Sequence, residues 1–157
     1  MGHITHDEYW RRAAEPFEGR LPAEFLTLRK GLFHLEPINE ETVTLVKFLR
    51  QHTAGRLPIA LCSNALDDLR EVLAQRPDIR ELFDVIVVSA EEGLRKPNPA
   101  ILALTADRLG LPPSVCLFID DKERNTNAAA TIGMPGVVFE SAEQLQQALA
   151  CRGLWPV

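Results

Sequence analysis

The stretch that most constrains this chain runs from position 115 to position 127, where an apolar run ends in two adjacent acids. The five residues from Val115 are all apolar, without the alternation of a half-exposed strand. Such a run is typical of a strand covered on both faces, as in a parallel sheet. Asp120 and Asp121 follow directly, and an alanine run at 128–130 indicates a helix. The sequence therefore predicts a strand whose carboxyl end presents two carboxylates.

Two carboxylates in this place suit a hard cation. Open α/β sheets bind their ligands at the carboxyl ends of the strands. Mg²⁺ usually takes one or two carboxylates, with waters and phosphate oxygens completing its shell. Asp120 and Asp121 are therefore candidate Mg²⁺ ligands. The simpler alternative is that one of them only caps the following helix, and the pair alone does not decide between the two.

Composition narrows the classes of partner. The chain has 157 residues, enough for one domain with its own core, and a net charge of −5. The chain has no excess of basic residues to neutralise the phosphates of nucleic acid, so nucleic acid is not expected as its main partner. A small phosphorylated ligand needs only a local positive charge and is compatible with this composition. No apolar run approaches the roughly 20 residues of a membrane span. Three cysteines without metal-ligand spacing favour a reducing, cytoplasmic location.

The first 52 residues predict helices only. Thr5 can cap a helix over 6–15, Pro22 can open a second that ends near Phe33, and Asn39 can cap a third. No strand is predicted before Leu57. We therefore expect a helical cap remnant over residues 1–52.

Residues 53–157 predict an α/β core with a Rossmann-like parallel sheet, because strands and helices alternate throughout. The four predicted strands are short apolar runs at 58–62, 85–88, 115–119 and 137–139.

Useful polar groups follow three of these strands at the same edge of the sheet. The first strand ends in Ser63 and Asn64, and Lys96 lies a few residues beyond the second. A hydroxyl with backbone N–H groups at a helix start can hold an anion, and a lysine adds a positive charge. With a cation on Asp120 and Asp121, the set would suit a phosphoryl group, whose transfer depends on positioning and charge neutralisation.

Each of these residues also has a simpler explanation. Ser63 or Asn64 can cap a helix, and a lone lysine such as Lys96 is usually a solvated surface residue. Asn125 and Asn127 can be polar residues on a helix surface. The occurrence of all these groups in one order at one edge is what favours a site.

These motifs resemble the haloacid dehalogenase (HAD) superfamily, in particular its phosphatase-like members with a small helical cap. Three of the four family motifs have counterparts, at 60–64, 93–97 and 118–121, with Asn125 and the helix end at 132–134 in register. The resemblance covers nearly the whole chain. It implies a HAD-like α/β core and a Mg²⁺-dependent hydrolase, most simply a phosphatase acting on a small phosphorylated metabolite through an aspartyl-phosphate.

The resemblance also implies a role for each matched residue. Ser63 and Asn64 would bind the phosphoryl group, and Lys96 would neutralise the aspartyl-phosphate as the catalytic lysine. Asp121, with Asp120 beside it, would hold Mg²⁺. The helices before Leu57 resemble the tail of a cap that selects the substrate.

The first family motif, an apolar strand ending in Asp-x-Asp, has no counterpart in this sequence. Asp7 has no apolar strand before it, and Asp67 and Asp68 fall inside a predicted helix. Without this nucleophile the covalent route has no first step, so we expect the chain as printed to be inactive. We expect a sequence that begins within the cap, short of that strand.

In the family, the missing strand lies between the strand that ends in Ser63 and the strand that ends in Asp121. Its loss predicts altered pairing or two open sheet edges, with self-association through those edges. Three alternatives stay open: a phosphate-binding pseudoenzyme or interaction module without turnover, a phosphoacceptor signalling domain, and epoxide or haloacid chemistry within the same superfamily.

Overall fold

The computed structural model describes residue 12 and residues 38–65 and 69–155. The described helices are α1 (Glu40–His52), α2 (Leu69–Ala74), α3 (Pro77–Arg80), α4 (Ser89–Glu92), α5 (Pro99–Arg108), α6 (Glu123–Ala130) and α7 (Ala142–Ala150). The strands are β1 (Ala60–Ser63), β2 (Val85–Val88), β3 (Phe118–Asp120) and β4 (Gly136–Val138). No helix in these parts of the chain has the length and apolar character needed to cross a membrane.

The four strands pair in parallel, as two separate pairs. β1 pairs with β2, so that Ala60 is opposite Val85, and β3 pairs with β4, so that Phe118 is opposite Gly136. The α/β class with parallel strands is thus confirmed. Within the described residues no ladder joins the two pairs, so β1 and β3 each have one neighbouring strand.

The third strand is shorter than its sequence predicts. It begins at Phe118, because Pro112 and Pro113 start a 3₁₀ turn that includes Val115 and delays entry into the strand. Proline fixes the backbone φ angle and has no N–H for a ladder. Val115 is 65% exposed and Ile119 38%, so the prediction of a run covered on both faces was wrong at these two positions.

Other local predictions meet mixed outcomes. Asn39 caps α1 as predicted, and Ser141 caps α7; each accepts a backbone N–H through its side-chain oxygen. The charged segment after β2 begins with α4, which is followed by Gly93 in the left-handed region with φ 64°. The predicted helices over 6–15 and 22–33 lie outside the described residues, except that Arg12 is helical.

Helices cover both faces of β2. Ile86 and Val88 pack with Val43 of α1, whereas Val87, on the alternate face, packs with Ile101 of α5. The period of two along a strand explains this division, since successive side chains point to opposite faces. An all-apolar β2 is therefore a strand buried on both sides.

α1 also joins a third cluster of buried side chains. Leu45 and Leu49 pack with Leu145 and Leu149 of α7. This part of the segment that we expected to be a cap remnant therefore contributes to the packing of the α/β core. The division of the chain at residues 52 and 53 stays a prediction.

An ion pair connects α1 to the residue that precedes β2. The Arg50 guanidinium donates two hydrogen bonds to the Asp84 carboxylate, at 2.6 and 2.7 Å. Asp84 also accepts the Ile59 N–H at 2.8 Å, and its own N–H donates to the Ile59 carbonyl. The hydrogen bonds from Arg50, opposed by partial burial, lower the pKa of Asp84 to about 2. Bidentate arginine–carboxylate pairs are among the stronger surface contacts.

We expect Asp84→Asn to lower the free energy of unfolding at pH 7 by about 1 kcal/mol, after allowance for solvent screening of a partly exposed pair. The folded pKa lies below the ordinary value, so the contribution is present above about pH 4 and is lost toward pH 2. Urea unfolding of both proteins from pH 7 to pH 2 should show their difference shrinking over that window. Asp107→Asn, an exposed control on α5, should change little; a pH-independent Asp84→Asn difference would contradict the ion-pair explanation.

Candidate active site

A nearly buried ion pair stands at the carboxyl edge of the sheets. The Lys96 ammonium donates to Asp120 Oδ2 at 2.7 Å, and the two side chains are 14% and 4% exposed. The ammonium also lies 5.7 Å from the centre of the Phe118 ring. Because burial makes an unpaired charge costly, the two opposite charges stabilise each other at this position. Lys96 is thus a nearly buried, ion-paired residue rather than a solvated surface lysine.

Two further donors fix the Asp120 carboxylate. Oδ1 accepts the Lys122 backbone N–H at 2.9 Å and the Asn125 amide at 2.7 Å. Burial alone would raise the pKa of Asp120, but the hydrogen bonds from Lys96, Asn125 and the Lys122 backbone outweigh it and hold the pKa below its usual value. The carboxylate is therefore ionised and fixed in orientation.

Asn64 positions the backbone of Lys96. Its Oδ1 accepts the Lys96 N–H at 2.8 Å, and its Nδ2 donates to the Lys96 carbonyl at 2.9 Å. The first residue after β1 thereby holds the loop that carries the lysine. The role of Asn64 as a phosphate ligand stays a prediction, because both ends of its amide are engaged here.

The predicted site residues lie around one groove. Ser63, Lys96, Asp120 and Asp121 all line a cavity of about 700 Å³. Ser63 is half-buried at the end of β1, whereas Asp121 is exposed. The structure thus places these four residues on one groove, with the Lys96 ammonium and the Asp120 carboxylate in direct contact. Their individual roles in binding stay predictions.

The oxygen atoms of this site fit a magnesium ion. Asp120 receives three hydrogen bonds and a carboxylate has about four lone-pair sites, so one stays available. The Asp121 carboxylate has no partner among the described residues, and Asn125 Oδ1 is a buried acceptor that lacks a donor there. No cluster of three His, Cys, Asp or Glu occurs in the described part of the chain, so waters and ligand oxygens would complete the shell.

Asn125 and Asn127 differ in burial. Asn125 is 3% exposed, whereas Asn127 on the same helix is exposed. The alternative that both lie on the helix surface therefore fails for Asn125, because one turn of α6 directs it back to the end of β3. The signal for its role was its fixed distance from Asp120 in the family register.

Comparison with known protein families identifies the family of this chain. The profile of the family described as haloacid dehalogenase-like hydrolase matches residues 5–133. The chain belongs to this family. The HAD-like resemblance inferred from the strand ends at 60–64, 93–97 and 118–121 is thereby confirmed.

Curated relatives of this HAD-like chain include proteins with different names. Acyl-CoA dehydrogenase family member 10 of Mus musculus is 41% identical over 113 residues, which is 72% of this chain and 10% of that protein. Phosphoglycolate phosphatase of Escherichia coli K12 is 32% identical over 84 residues, 54% of this chain and 33% of the enzyme. The chain thus spans a third or less of these relatives.

Solved structures share the fold. A HAD-like family hydrolase from Porphyromonas gingivalis superposes with a TM-score of 0.75 at 23% identity, over 96% of this chain and 74% of that one. A HAD family enzyme from Bacteroides thetaiotaomicron, in complex with magnesium and inorganic phosphate, gives 0.72 at 22% identity, over 92% and 75%. At these identities the likeness establishes the fold.

We expect Asn125→Ala to lower the free energy of unfolding by about 1–2 kcal/mol, because it removes a buried hydrogen bond to a charged acceptor. Asn127→Ala, two residues along the same helix and exposed, should change it by less than about 0.5 kcal/mol. Urea denaturation of the three proteins gives the comparison. Equal effects of the two substitutions would show that the bond to Asp120 contributes nothing measurable.

Proposed function

We propose that this chain carries the phosphate and Mg²⁺ site of a HAD-type phosphatase that acts on a small phosphorylated metabolite through an aspartyl-phosphate. The observation that supports this most is the Lys96–Asp120 pair, at 2.7 Å, in one groove with Ser63 and Asp121. The names of two relatives point the same way. They are phosphoglycolate phosphatase and flavin mononucleotide hydrolase 1 of Arabidopsis thaliana, the latter 40% identical over 62 residues.

The charges of the proposed site suit a phosphate group. Lys96, Asp120 and Asp121 together carry one negative charge, which a bound Mg²⁺ changes to one positive charge. A phosphate monoester dianion would then meet a site of opposite sign at the carboxyl edge of the sheets. Asp120 and Asp121 would hold the ion, whose chemistry is to polarise and neutralise phosphoryl oxygens.

The remaining proposed contacts orient the phosphoryl group. Ser63 would donate its hydroxyl to a phosphoryl oxygen, and the Lys96 ammonium would neutralise a neighbouring one. Asn64 would act through Lys96, by holding that backbone in place. Such positioning and charge neutralisation supply most of the catalysis of phosphoryl transfer.

The nucleophile is the part of this reaction that the printed sequence does not supply. No two aspartates in it stand in an Asp-x-Asp arrangement. We therefore infer that the printed chain binds phosphate with Mg²⁺ but does not turn it over. The missing motif also favours a second candidate, a phosphate-binding module without hydrolysis. A signalling domain is disfavoured because its acids would follow the first strand, whereas here they follow β3.

We expect the purified chain to hydrolyse p-nitrophenyl phosphate little or not at all in the presence of Mg²⁺, because the printed sequence has no Asp-x-Asp motif to supply the nucleophile. The measurement is initial rate against a protein-free blank. Robust turnover that is lost on Asp121→Ala would contradict this expectation and would show that the printed chain holds a complete active site.

We expect inorganic phosphate to bind the chain in a Mg²⁺-dependent manner in isothermal titration calorimetry. Lys96→Met should weaken binding at least about tenfold, because charge-assisted hydrogen bonds contribute about 1.5–3 kcal/mol. Lys47→Met, at a partly exposed lysine on α1 that is ion-paired with Asp78, is the matched control. Asp121→Asn, at an exposed position, should remove the Mg²⁺ dependence even if Lys96→Met proves poorly folded. No binding of phosphate in either the presence or absence of Mg²⁺ would reject both candidate functions.

A further inference from the structure

Helix α4 is a single turn whose position depends on neighbouring side chains. None of its four residues, Ser89–Glu92, is buried, and the preceding residue, Val88, provides no side-chain cap. A helix of this length is not stable by itself, because forming the first turn fixes several residues for one hydrogen bond. The position of α4 matters for the candidate active site, since Gly93 follows it and Lys96 lies three residues further on.

Two arginines from different helices bind the two glutamates of α4. The Arg70 guanidinium, on α2, donates to both carboxylate oxygens of Glu91, at 2.6 and 2.8 Å. The Arg108 guanidinium, at the end of α5, donates to both carboxylate oxygens of Glu92, also at 2.6 and 2.8 Å. Both pairs are bidentate, a geometry that adds directional specificity to the attraction. α4 is therefore tied to one helix that precedes β2 and to one that follows the Lys96 loop.

The four charges form one network that is partly shielded from water. The side chains of Glu91 and Glu92 are 27% and 16% exposed. The hydrogen bonds from Arg70 hold the pKa of Glu91 below its usual value, and Arg108 also attracts Glu91. Arg70 in turn attracts Glu92. Isolated surface ion pairs contribute little to stability, but bidentate pairs within a network are the exception.

The segment that carries Lys96 is held at both ends. The Glu92–Arg108 pair fixes its start to α5. Asn64 fixes its end, through the N–H and the carbonyl of Lys96 itself. Leu94, between these two points, is half-buried against the apolar cluster on the α5 side of β2. The direction of the Lys96 ammonium therefore depends on the glutamates as well as on Asn64.

We propose that Glu91 and Glu92 are positioning residues, which keep the Lys96 ammonium in place at the candidate active site. Their arginine pairs fix α4, and α4 fixes the start of the loop that carries the lysine. Without these pairs the loop is free to turn at Gly93, whose backbone is the least restricted of any residue type. The 2.7 Å contact between the ammonium and Asp120 is then lost for part of the time. Only the phosphate readout below rests on the proposed function.

Lysine labelling measures this positioning directly. Acetic anhydride at a limiting amount reacts with each lysine according to its exposure and its fraction of free amine. Peptide mass spectrometry then gives the rate at Lys96 relative to the exposed Lys122. We expect Glu91→Gln and Glu92→Gln each to raise this relative rate at least about threefold, because each removes one ion pair of the network while keeping the side-chain shape.

Three further variants serve as controls. Asn64→Ala releases the other end of the loop and should raise the Lys96 rate as well. Asp84→Asn breaks a bidentate arginine pair elsewhere and should leave the Lys96 rate unchanged, although it lowers stability. The double variant Glu92→Gln/Arg108→Gln should match Glu92→Gln, because the partners of one ion pair act as a unit.

Phosphate binding gives a second readout. In calorimetry with Mg²⁺, Glu92→Gln should weaken the binding of inorganic phosphate at least about threefold, whereas Asp84→Asn should leave the Kd unchanged. An unchanged Lys96 labelling rate in both glutamate variants would overturn the proposal. An equal rise in Asp84→Asn would also overturn it, because the effect would then be a general loss of stability. Absence of phosphate binding by the unsubstituted chain would reject the proposed function, and the labelling rates would still decide this proposal.

Discussion

The Asp120 carboxylate is the group on which the site depends. It is almost fully buried, and it receives hydrogen bonds from a lysine ammonium, an asparagine amide and a backbone N–H. Burial raises the cost of its charge, and these three donors compensate that cost. Lys96 lies in the loop between α4 and α5, the backbone N–H belongs to Lys122 just before α6, and Asn125 lies in α6. A correct arrangement of these elements is therefore a condition for an ionised Asp120, and the electrostatics of the site follow from the fold.

Much of this arrangement could be predicted from the sequence, because each strand end carried its own signal. β2 is uniformly apolar, and burial on both faces is what such a strand requires. The grouping of Ser63, Lys96 and Asp121 followed from parallel strands, whose carboxyl ends share one edge. The start of β3 was harder to predict, because Pro112 and Pro113 begin a 3₁₀ turn in an apolar run that otherwise favours a strand. The residue pattern of the short polar helix α6 left open whether Asn125 or Asn127 turns inward, and only the family register distinguished Asn125.

The pairing of the strands was predicted from the family resemblance, as altered pairing or two open sheet edges, and not from the apolar runs themselves. Apolar runs show that strands exist, but pairing depends on which edges meet in space. Here each of the four described strands has one hydrogen-bonded neighbour and no strand partner on its other edge among the described residues. Helices α1 and α5 pack over both faces all the same, since side-chain burial against a helix does not require a continuous hydrogen-bonded sheet. The packing of the core thus depends on apolar side chains, whereas the pairing of the strands depends on backbone groups at their edges.

Asn64 shows how an exposed residue can be constrained by the backbone that it holds. Its amide supplies one acceptor and one donor to the same residue, Lys96. Aspartate lacks the donor, and glutamine is one methylene too long for the same geometry. Substitution at this surface position would be tolerated by the core, yet it would release the loop that aims the ammonium. A measurement of folding stability alone would therefore miss the contribution of Asn64, which is to orient the Lys96 ammonium by holding the Lys96 backbone.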